Sequence, residues 1–179
     1  MIKYENELKN YASLNKNVKE GGAVFFGCDS LHSVPVSEIT QDMNLNISTY
    51  NRSINGLVIA DAESVANECI YRLNPSKLFV NIGENDISDA EFNIESFIEK
   101  YEWFLYNVHS KCKCSIYIIS VSGRGADDVN ARLRELARHC RCEFLEISDG
   151  GTPVNFIRKT KCFLRNGHIT FPDAMAIYS

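Results

Sequence analysis

Three polar segments of the chain combine the residue types that acyl-transfer chemistry requires. Each follows a predicted strand, and in order they include Ser30, Gly56 and Asn85. Acyl transfer needs a hydroxyl nucleophile, a base that removes its proton, and hydrogen-bond donors aimed at the oxygen that becomes negative. Ser30 carries a hydroxyl, and His168 carries an imidazole suited to the base. These residue types favour a site for ester or acyl-transfer chemistry.

The order of the three segments matches a known pattern. They read Phe26-Gly27-Cys28-Asp29-Ser30-Leu31, Asn51-Arg52-Ser53-Ile54-Asn55-Gly56 and Gly83-Glu84-Asn85-Asp86. Together they resemble the SGNH/GDSL hydrolase family, whose four blocks contribute a serine, a glycine, an asparagine and a histidine to one site. The resemblance extends from about residue 23 to about residue 176.

The resemblance implies a role for each of these residues. Ser30 is expected to be the nucleophile and His168 the base. The oxyanion hole is expected to consist of the backbone amides of Ser30 and Gly56 and the side-chain amide of Asn85. Gly56 suits this role because a residue without a Cβ lets its backbone approach a substrate closely. The family further implies a serine hydrolase that acts on small acyl esters, such as acetyl esters of carbohydrates, through an acyl-enzyme, and an acyltransferase is a variant of that activity.

The fourth block departs from the family pattern of Asp-x-x-His. The chain has Leu164-Arg165-Asn166-Gly167-His168, so that Arg165 or, with one residue deleted, Asn166 stands where the acid is expected. That acid normally fixes the histidine tautomer, and an asparagine in its place can reduce turnover by about 10⁴-fold. Asn166, Asp173 and Asp149 are the candidates for an acid or orienting residue. The alternative is a degenerate member that binds a carbohydrate or acylated ligand with little turnover.

The first block also departs, because Cys28 lies between Gly27 and Asp29 where the usual pattern is Gly-Asp-Ser. Either the turn contains an extra residue or the cysteine replaces the glycine. A nucleophilic Cys28 is an alternative, although a buried cysteine is the commoner case. Ser30 keeps the nucleophile position in our interpretation.

The elements that position these residues follow from hydrophobic periodicity. Strands are predicted at residues 23–27, 46–50, 78–82, 115–121 and 143–147, and helices at 2–14, 61–73, 89–108, 127–138 and from Pro172 onward. The first strand is expected to be central in the sheet. Alternating strands and helices predict a parallel sheet with helices on both faces, a flavodoxin-like three-layer α/β fold of five strands.

In such a sheet the ligand binds beyond the carboxyl ends of the strands. The loops to examine are therefore residues 27–32, 51–57, 83–87 and 120–126, together with the segment around His168. Arg124, in the fourth of these loops, is a candidate contact for a polar acyl acceptor. The glycines around it do not complete a dinucleotide-binding fingerprint, because Asp128 stands where a small residue is needed. The sequence predicts no cofactor and no metal in this site.

Composition limits the remaining possibilities. The 179 residues, 45% of them hydrophobic, predict one domain covering residues 1–179. A formal net charge of −4 and the lack of a basic patch argue against nucleic acid as a partner. No apolar run is long enough to cross a membrane, and the first residues do not form a signal peptide, so we expect a cytoplasmic protein that binds no membrane. The oligomeric state is unknown from the sequence.

Seven cysteines are expected to be reduced thiols in that compartment. The pairs Cys112/Cys114 and Cys140/Cys142 each precede a predicted strand, which places them at the amino-terminal edge, opposite the catalytic loops. Zinc binding by these four residues with His139 is the alternative, but paired zinc ligands are usually spaced by two to four residues rather than one.

Overall fold

A computed structural model describes residues 3–147, 160–161 and 163–164. Five strands alternate with helices along this part of the chain. The strands are β1 (Ala23–Gly27), β2 (Thr49–Asn51), β3 (Lys77–Asn81), β4 (Ser115–Ile119) and β5 (Glu143–Leu145). The α-helices are α1 (Glu5–Leu14), α2 (Asp29–His32), α3 (Val36–Asp42), α4 (Ala62–Cys69), α5 (Glu84–Ile87), α6 (Ile94–Lys111) and α7 (Ala126–His139). Short 3-10 helices cover Asn15–Asn17, Ile59–Asp61 and Tyr71–Leu73.

The sheet has the order β2-β1-β3-β4-β5, and all its strand pairs are parallel. This is the flavodoxin-like order, so the predicted fold class is confirmed. The prediction that the first strand is central was wrong, because β3 occupies the middle of the sheet. All residues of β1 and β3 are buried except Lys77. The apolar character of the two strands therefore does not indicate which of them lies in the middle of the sheet.

Alternate residues of the strands supply two separate cores, one on each face of the sheet. On one face Val24, Phe26 and Val80 pack with residues of α4, α6 and α7. On the other face Phe25, Phe79 and Tyr117 form a stacked row, with ring centroids 4.6 and 4.7 Å apart, and pack with α3. Because side chains alternate between faces along a strand, fully apolar strands produce this three-layer arrangement.

Helix boundaries differ from the predicted ones where polar caps and backbone turns intervene. α6 begins at Ile94 rather than near Asp89, because the Asn93 side chain accepts a hydrogen bond of 2.9 Å from the Ser96 amide and caps the helix there. The helix predicted for residues 61–73 ends as an α-helix at Cys69 and continues as a 3-10 turn to Leu73. Asn74 then adopts a left-handed conformation and leads into β3.

The helix predicted from Pro172 onward lies outside the described residues. Among the helices that the structure describes, none is long and apolar enough to cross a membrane.

Candidate active site

The first three polar segments meet at the carboxyl-terminal edge of the sheet, as the parallel topology requires. β1, β2 and β3 end at Gly27, Asn51 and Asn81, and each leads directly into one of the segments. The second segment runs beside the end of β1, where the Ile54 amide donates to the Gly27 carbonyl at 2.9 Å. Gly27 allows β1 and β3 to approach closely, since a Cβ there would lie 2.3 Å from the Asn81 carbonyl oxygen.

Gly56 and Asn85 direct their donors at one oxygen atom. The Gly56 amide donates to Asp29 Oδ2 at 2.9 Å, and Asn85 Nδ2 donates to the same oxygen at 2.5 Å. Asn85 Nδ2 also donates to the Leu57 carbonyl at 3.2 Å, which holds the second and third segments together. Gly56 has a φ of +70°, a conformation that favours glycine, and this turns its amide toward Asp29. We call the Gly56 amide and the Asn85 side-chain amide the donor pair.

Ser30 follows Asp29 directly in the sequence but makes different contacts. Its side chain is exposed, and Oγ donates to Asn81 Oδ1 at 3.1 Å. Asn81 is buried, and its Nδ2 donates to the Ser120 carbonyl at 3.0 Å. The Ser30 amide donates to Glu84 Oε2 at 3.3 Å. In this conformation the third expected oxyanion-hole donor, the Ser30 amide, is directed at Glu84, whereas the donor pair is directed at Asp29.

Two carboxylates in this site were not singled out from the sequence. Asp29 occupies the position at which the donor pair converges, and Glu84 accepts from the Ser30 amide and from Ser122 Oγ, the latter at 2.7 Å. The signal for Glu84 is its place beside Asn85 at the end of a buried strand. The signal for Asp29 is weaker, because neighbouring residues 29 and 30 are both exposed and only the turn after Gly27 decides which one faces the donor pair.

The hydrogen bonds to Asp29 keep its carboxyl ionised. The Asn85 side chain, assisted by the Gly56 amide, holds the pKa of Asp29 below its usual range. Asp29 and Glu84 therefore place two acidic groups at the mouth of the site. A cleft lined by one sign of charge repels ligands of the same sign.

Cys28 is buried directly beneath these residues. Burial raises the pKa of its thiol to about 11, and the nearby Glu84 carboxylate adds to that effect. Its Sγ lies 3.8 Å from Glu84 Oε2. A thiolate is the reactive form of cysteine, so this environment opposes the alternative in which Cys28 is the nucleophile.

Asp86 connects the second and third segments through the backbone. Both of its carboxylate oxygens accept from the Ile59 amide, at 3.1 and 3.2 Å. Burial raises the pKa of Asp86 to about 6 in spite of this bond. The Asn85-Asp86 pair could also have capped the following helix, but Asp86 instead fixes the segment that contains Gly56 and Leu57.

Arg52 connects the second segment to the N-terminal part of the chain. It is buried, and it lies over the rings of Tyr11 and Tyr50, with 5.1 and 5.6 Å between its Cζ and the ring centroids. Its Nε and Nη2 both donate to Asn15 Oδ1 at 3.1 Å. Tyr11 also donates from its hydroxyl to the Ser53 carbonyl. These contacts attach the segment to α1 and fix its path toward Gly56.

The expected base and its partners are not among the described residues. His168, Asn166, Asp173 and Asp149 all lie outside them. Arg124 is exposed on the loop between β4 and α7, at the same edge as the donor pair. The roles proposed for these residues, and the nucleophile role of Ser30, stay predictions.

The cysteine pairs lie at the opposite edge of the sheet, as expected. Cys112 and Cys140 follow α6 and α7, and Cys114 and Cys142 precede β4 and β5. The histidine that approaches them is His109, with Nε2 at 3.6 Å from Cys142 Sγ, whereas His139 pairs with Glu102. Within residues 3–147 and the few described beyond them, no three histidine, cysteine or acidic residues are grouped to hold a metal.

Solved structures with the same fold are numerous. A comparison by sequence finds no match, either among protein-family models or among curated proteins. By structure, the chain is similar to a proposed platelet activating factor from Streptococcus pneumonia, with a TM-score of 0.75 and 19% identity, over 89% of this chain and 92% of that one. It is also similar to a GDSL-like lipase from Bacteroides thetaiotaomicron, with a TM-score of 0.71 and 15% identity, over 88% of this chain and 96% of that one.

A third similar structure is an acetylxylan esterase from Geobacillus stearothermophilus, with a TM-score of 0.60 and 15% identity, over 80% of this chain and 82% of that one. That structure is a catalytic mutant in which a histidine is replaced by alanine, and another catalytic mutant of the same esterase replaces a serine. Identities of this size support the fold rather than an activity. On the evidence of its sheet topology and of these neighbours, the chain has the fold of the GDSL-like lipases, acylhydrolases and acetylxylan esterases, as its resemblance to the SGNH/GDSL family predicted.

Proposed function

We propose that this protein is a serine hydrolase of the SGNH type that acts on small, uncharged acyl esters. Ser30 attacks the acyl carbon, and His168 accepts the hydroxyl proton and passes it to the leaving alcohol. The acyl group is then bound to Ser30 as an ester, and water activated by His168 releases it as a carboxylic acid. Asn166 or Asp173 orients the imidazole in this scheme.

The convergence of the donor pair is the observation that carries the proposal. The Gly56 amide and Asn85 Nδ2 both bond to Asp29 Oδ2, an oxygen with negative charge. Two donors fixed on one anionic oxygen are what a tetrahedral intermediate of acyl transfer needs. Since Asp86 and Arg52 hold the two segments in place, the donors are arranged before any substrate arrives.

The charge of the site supports a choice among ester substrates. Asp29 and Glu84 lie beside the donor pair, and a negatively charged acyl donor would be repelled by both carboxylates. Acetyl esters of carbohydrates carry no charge and fit this environment. The similar acetylxylan esterase acts on such a substrate, which supports the same class here. Arg124, exposed at the same edge, is proposed to contact the sugar or another polar acceptor.

A second candidate function is the binding of a carbohydrate or acylated ligand with little turnover. Two observations favour it. Ser30 Oγ donates to the amide oxygen of Asn81, which accepts a hydrogen bond but cannot remove a proton at neutral pH. Asp29 also fills the position to which the donor pair points.

Hydrolysis of p-nitrophenyl acetate by the full chain separates the two candidates. We expect Ser30→Ala to remove the activity, and Ser33→Ala to keep it, because Ser33 lies on the same helical turn and donates only to the Ser30 carbonyl. Equal rates in the wild type, Ser30→Ala and a protein-free blank would contradict the hydrolase and leave the binding function.

A further inference from the structure

Asp29 makes contacts that its own helical turn does not explain. It is the first residue of α2, yet its Oδ2 bonds to two other segments, 27 and 56 residues further along the chain. Both donors belong to the pair expected to stabilise an oxyanion. The carboxylate oxygen of Asp29 therefore has the charge and the contacts that the oxygen of a bound intermediate would have.

The surroundings of this contact allow it to open. Asp29 is exposed, so its side chain can rotate away without crossing the core. A Cβ built on Gly56 would meet nothing within 4 Å, which means that the space beside the Gly56 amide is open. Asn85 keeps its second bond, to the Leu57 carbonyl, when Asp29 leaves. The donor pair thus stays in place whether or not Asp29 occupies it.

We propose that Asp29 is an internal occupant of the oxyanion site, which a ligand must displace before the donor pair can bind it. The inference rests on the donor pair of the proposed function, although not on the nucleophile. The ligand class that the donor pair accepts is a small acyl group, whose oxygen becomes negative in the tetrahedral intermediate. Acetate serves as a probe of this site because it carries the same kind of oxygen as Asp29. A neutral ester carbonyl accepts weaker hydrogen bonds than an ionised carboxylate. The donor pair therefore binds Asp29 in preference to the carbonyl of an ester substrate.

The size of the effect follows from the fraction of molecules in which the site is open. Apparent affinity is the intrinsic affinity multiplied by that fraction. Two hydrogen bonds to an ionised oxygen are enough to keep the open form a minority, so we expect Asp29→Ala to improve ligand binding and turnover by about tenfold or more. Asp29→Asn keeps the shape and loses the charge, and an intermediate gain is expected.

The test uses two measurements on the full chain, each with Asp29→Ala, Asp29→Asn and the control Asp42→Ala. Asp42 is an exposed carboxylate at the end of α3, so its removal makes the same change in net charge at a distance from the donor pair. The first measurement is kcat/KM for p-nitrophenyl acetate. The second is a titration with sodium acetate, observed through the amide resonance of Gly56 and the side-chain NH₂ resonances of Asn85.

The expected result is a gain of about tenfold or more in acetate affinity for Asp29→Ala, a smaller gain for Asp29→Asn, and wild-type values for Asp42→Ala. Unchanged or weaker acetate binding in both Asp29 variants would overturn the inference. A gain in acetate affinity without hydrolysis in any variant would support the inference and contradict the hydrolase. Hydrolysis that depends on Ser30 but does not rise in either Asp29 variant would support the hydrolase and overturn the inference. If Asp29→Ala does not fold, as judged by amide resonance dispersion, Asp29→Asn decides the question.

Discussion

Asn85 is the residue on which the proposed chemistry depends most directly. Its Nδ2 holds an anionic oxygen, and loss of one oxyanion donor typically reduces kcat by about 10²- to 10³-fold. We expect this reduction for Asn85→Ala in the hydrolysis of acetyl esters, with a smaller change in KM. Asn67→Ala is the matched control, because Asn67 is exposed on α4 and donates to its neighbour Glu68. A kcat for Asn85→Ala within about twofold of the wild type would contradict the role of the donor pair.

Cys28 gives a second prediction at this scale. Burial raises the pKa of its thiol to about 11, so at pH 8 roughly one molecule in a thousand carries the thiolate. We expect iodoacetamide to modify the partly exposed Cys140 well before Cys28, as followed by peptide mass spectrometry over time. Modification of Cys28 ahead of Cys140 would revive the alternative in which the cysteine is the nucleophile.

The sequence indicated that Gly56 and Asn85 lie close together, but it did not indicate that Asp29 accepts from both. Gly56 and Asn85 could be identified because each follows a predicted strand and the segments occur in a characteristic order. The position of Asp29 depends on the conformation of the turn between Gly27 and α2. That conformation decides which of the neighbouring side chains, Asp29 or Ser30, faces the donor pair. In that turn the Cys28 amide donates to the Asn81 carbonyl and Ser30 Oγ donates to Asn81 Oδ1, and no local sequence pattern encodes these contacts with β3.

The close contact between β1 and β3 is the element-scale feature that aligns the site. A Cβ on Gly27 would lie 2.3 Å from the Asn81 carbonyl oxygen, so Gly27→Ala must separate β1 from β3. We expect a loss of about 3 kcal/mol in the free energy of unfolding, measured with urea. Gly21→Ala is the control, because a Cβ there meets nothing within 4 Å, and we expect it to lose about 1 kcal/mol through its positive φ alone. Equal losses would contradict the close-contact explanation.

The burial of Asp86 makes the stability of the protein depend on pH. Burial raises the pKa of Asp86 from 3.8 to about 6, so the folded state binds this proton more tightly than the unfolded state. The contribution of Asp86 to stability therefore falls as pH rises from about 4 to about 6, and the penalty is fully present above that range. After allowance for partial exposure, it amounts to about 1–2 kcal/mol.

Asp86→Asn removes this titration. We measure the free energy of unfolding with urea at about pH 4 and about pH 8 and take the difference between the variant and the wild type at each pH. We expect this difference to be about 1–2 kcal/mol more favourable to the variant at about pH 8 than at about pH 4. Asp42→Asn is the matched control, because it makes the same substitution at a carboxylate that is exposed at the end of α3. A pH dependence of Asp86→Asn equal to that of the wild type would mean that Asp86 titrates alike in the folded and unfolded states.

Element predictions succeeded where a long periodic pattern or an apolar run existed, and failed where short-range contacts decide. β1 was predicted with the observed bounds, and α7 to within one residue at each end. α3 was not predicted. Only three of its seven residues are buried, so its apolar periodicity is weak, and the helix has no side-chain N-cap. The late start of α6 is determined by the Asn93 cap, whose bond to Ser96 competes with an earlier start.

At the scale of the whole molecule, the alternation of strands and helices was enough to predict the layers and the edge at which the site lies. Parallel strands bring all their carboxyl ends to one edge, so residues from three distant segments meet there without any local signal for their proximity. The order of strands within the sheet was less accessible, as the wrong placement of the first strand in the centre shows.

The central claim is that Ser30 and the donor pair act together on an acyl group, and covalent labelling tests it most directly. A fluorophosphonate probe forms a bond to an activated serine and places a tetrahedral, oxyanion-like oxygen beside it. We predict an adduct on Ser30 in the full chain, located by fragmentation of the labelled peptide, with its formation about 10²-fold slower in Asn85→Ala. No adduct, an adduct on another serine, or the same labelling rate without Asn85 would contradict the account.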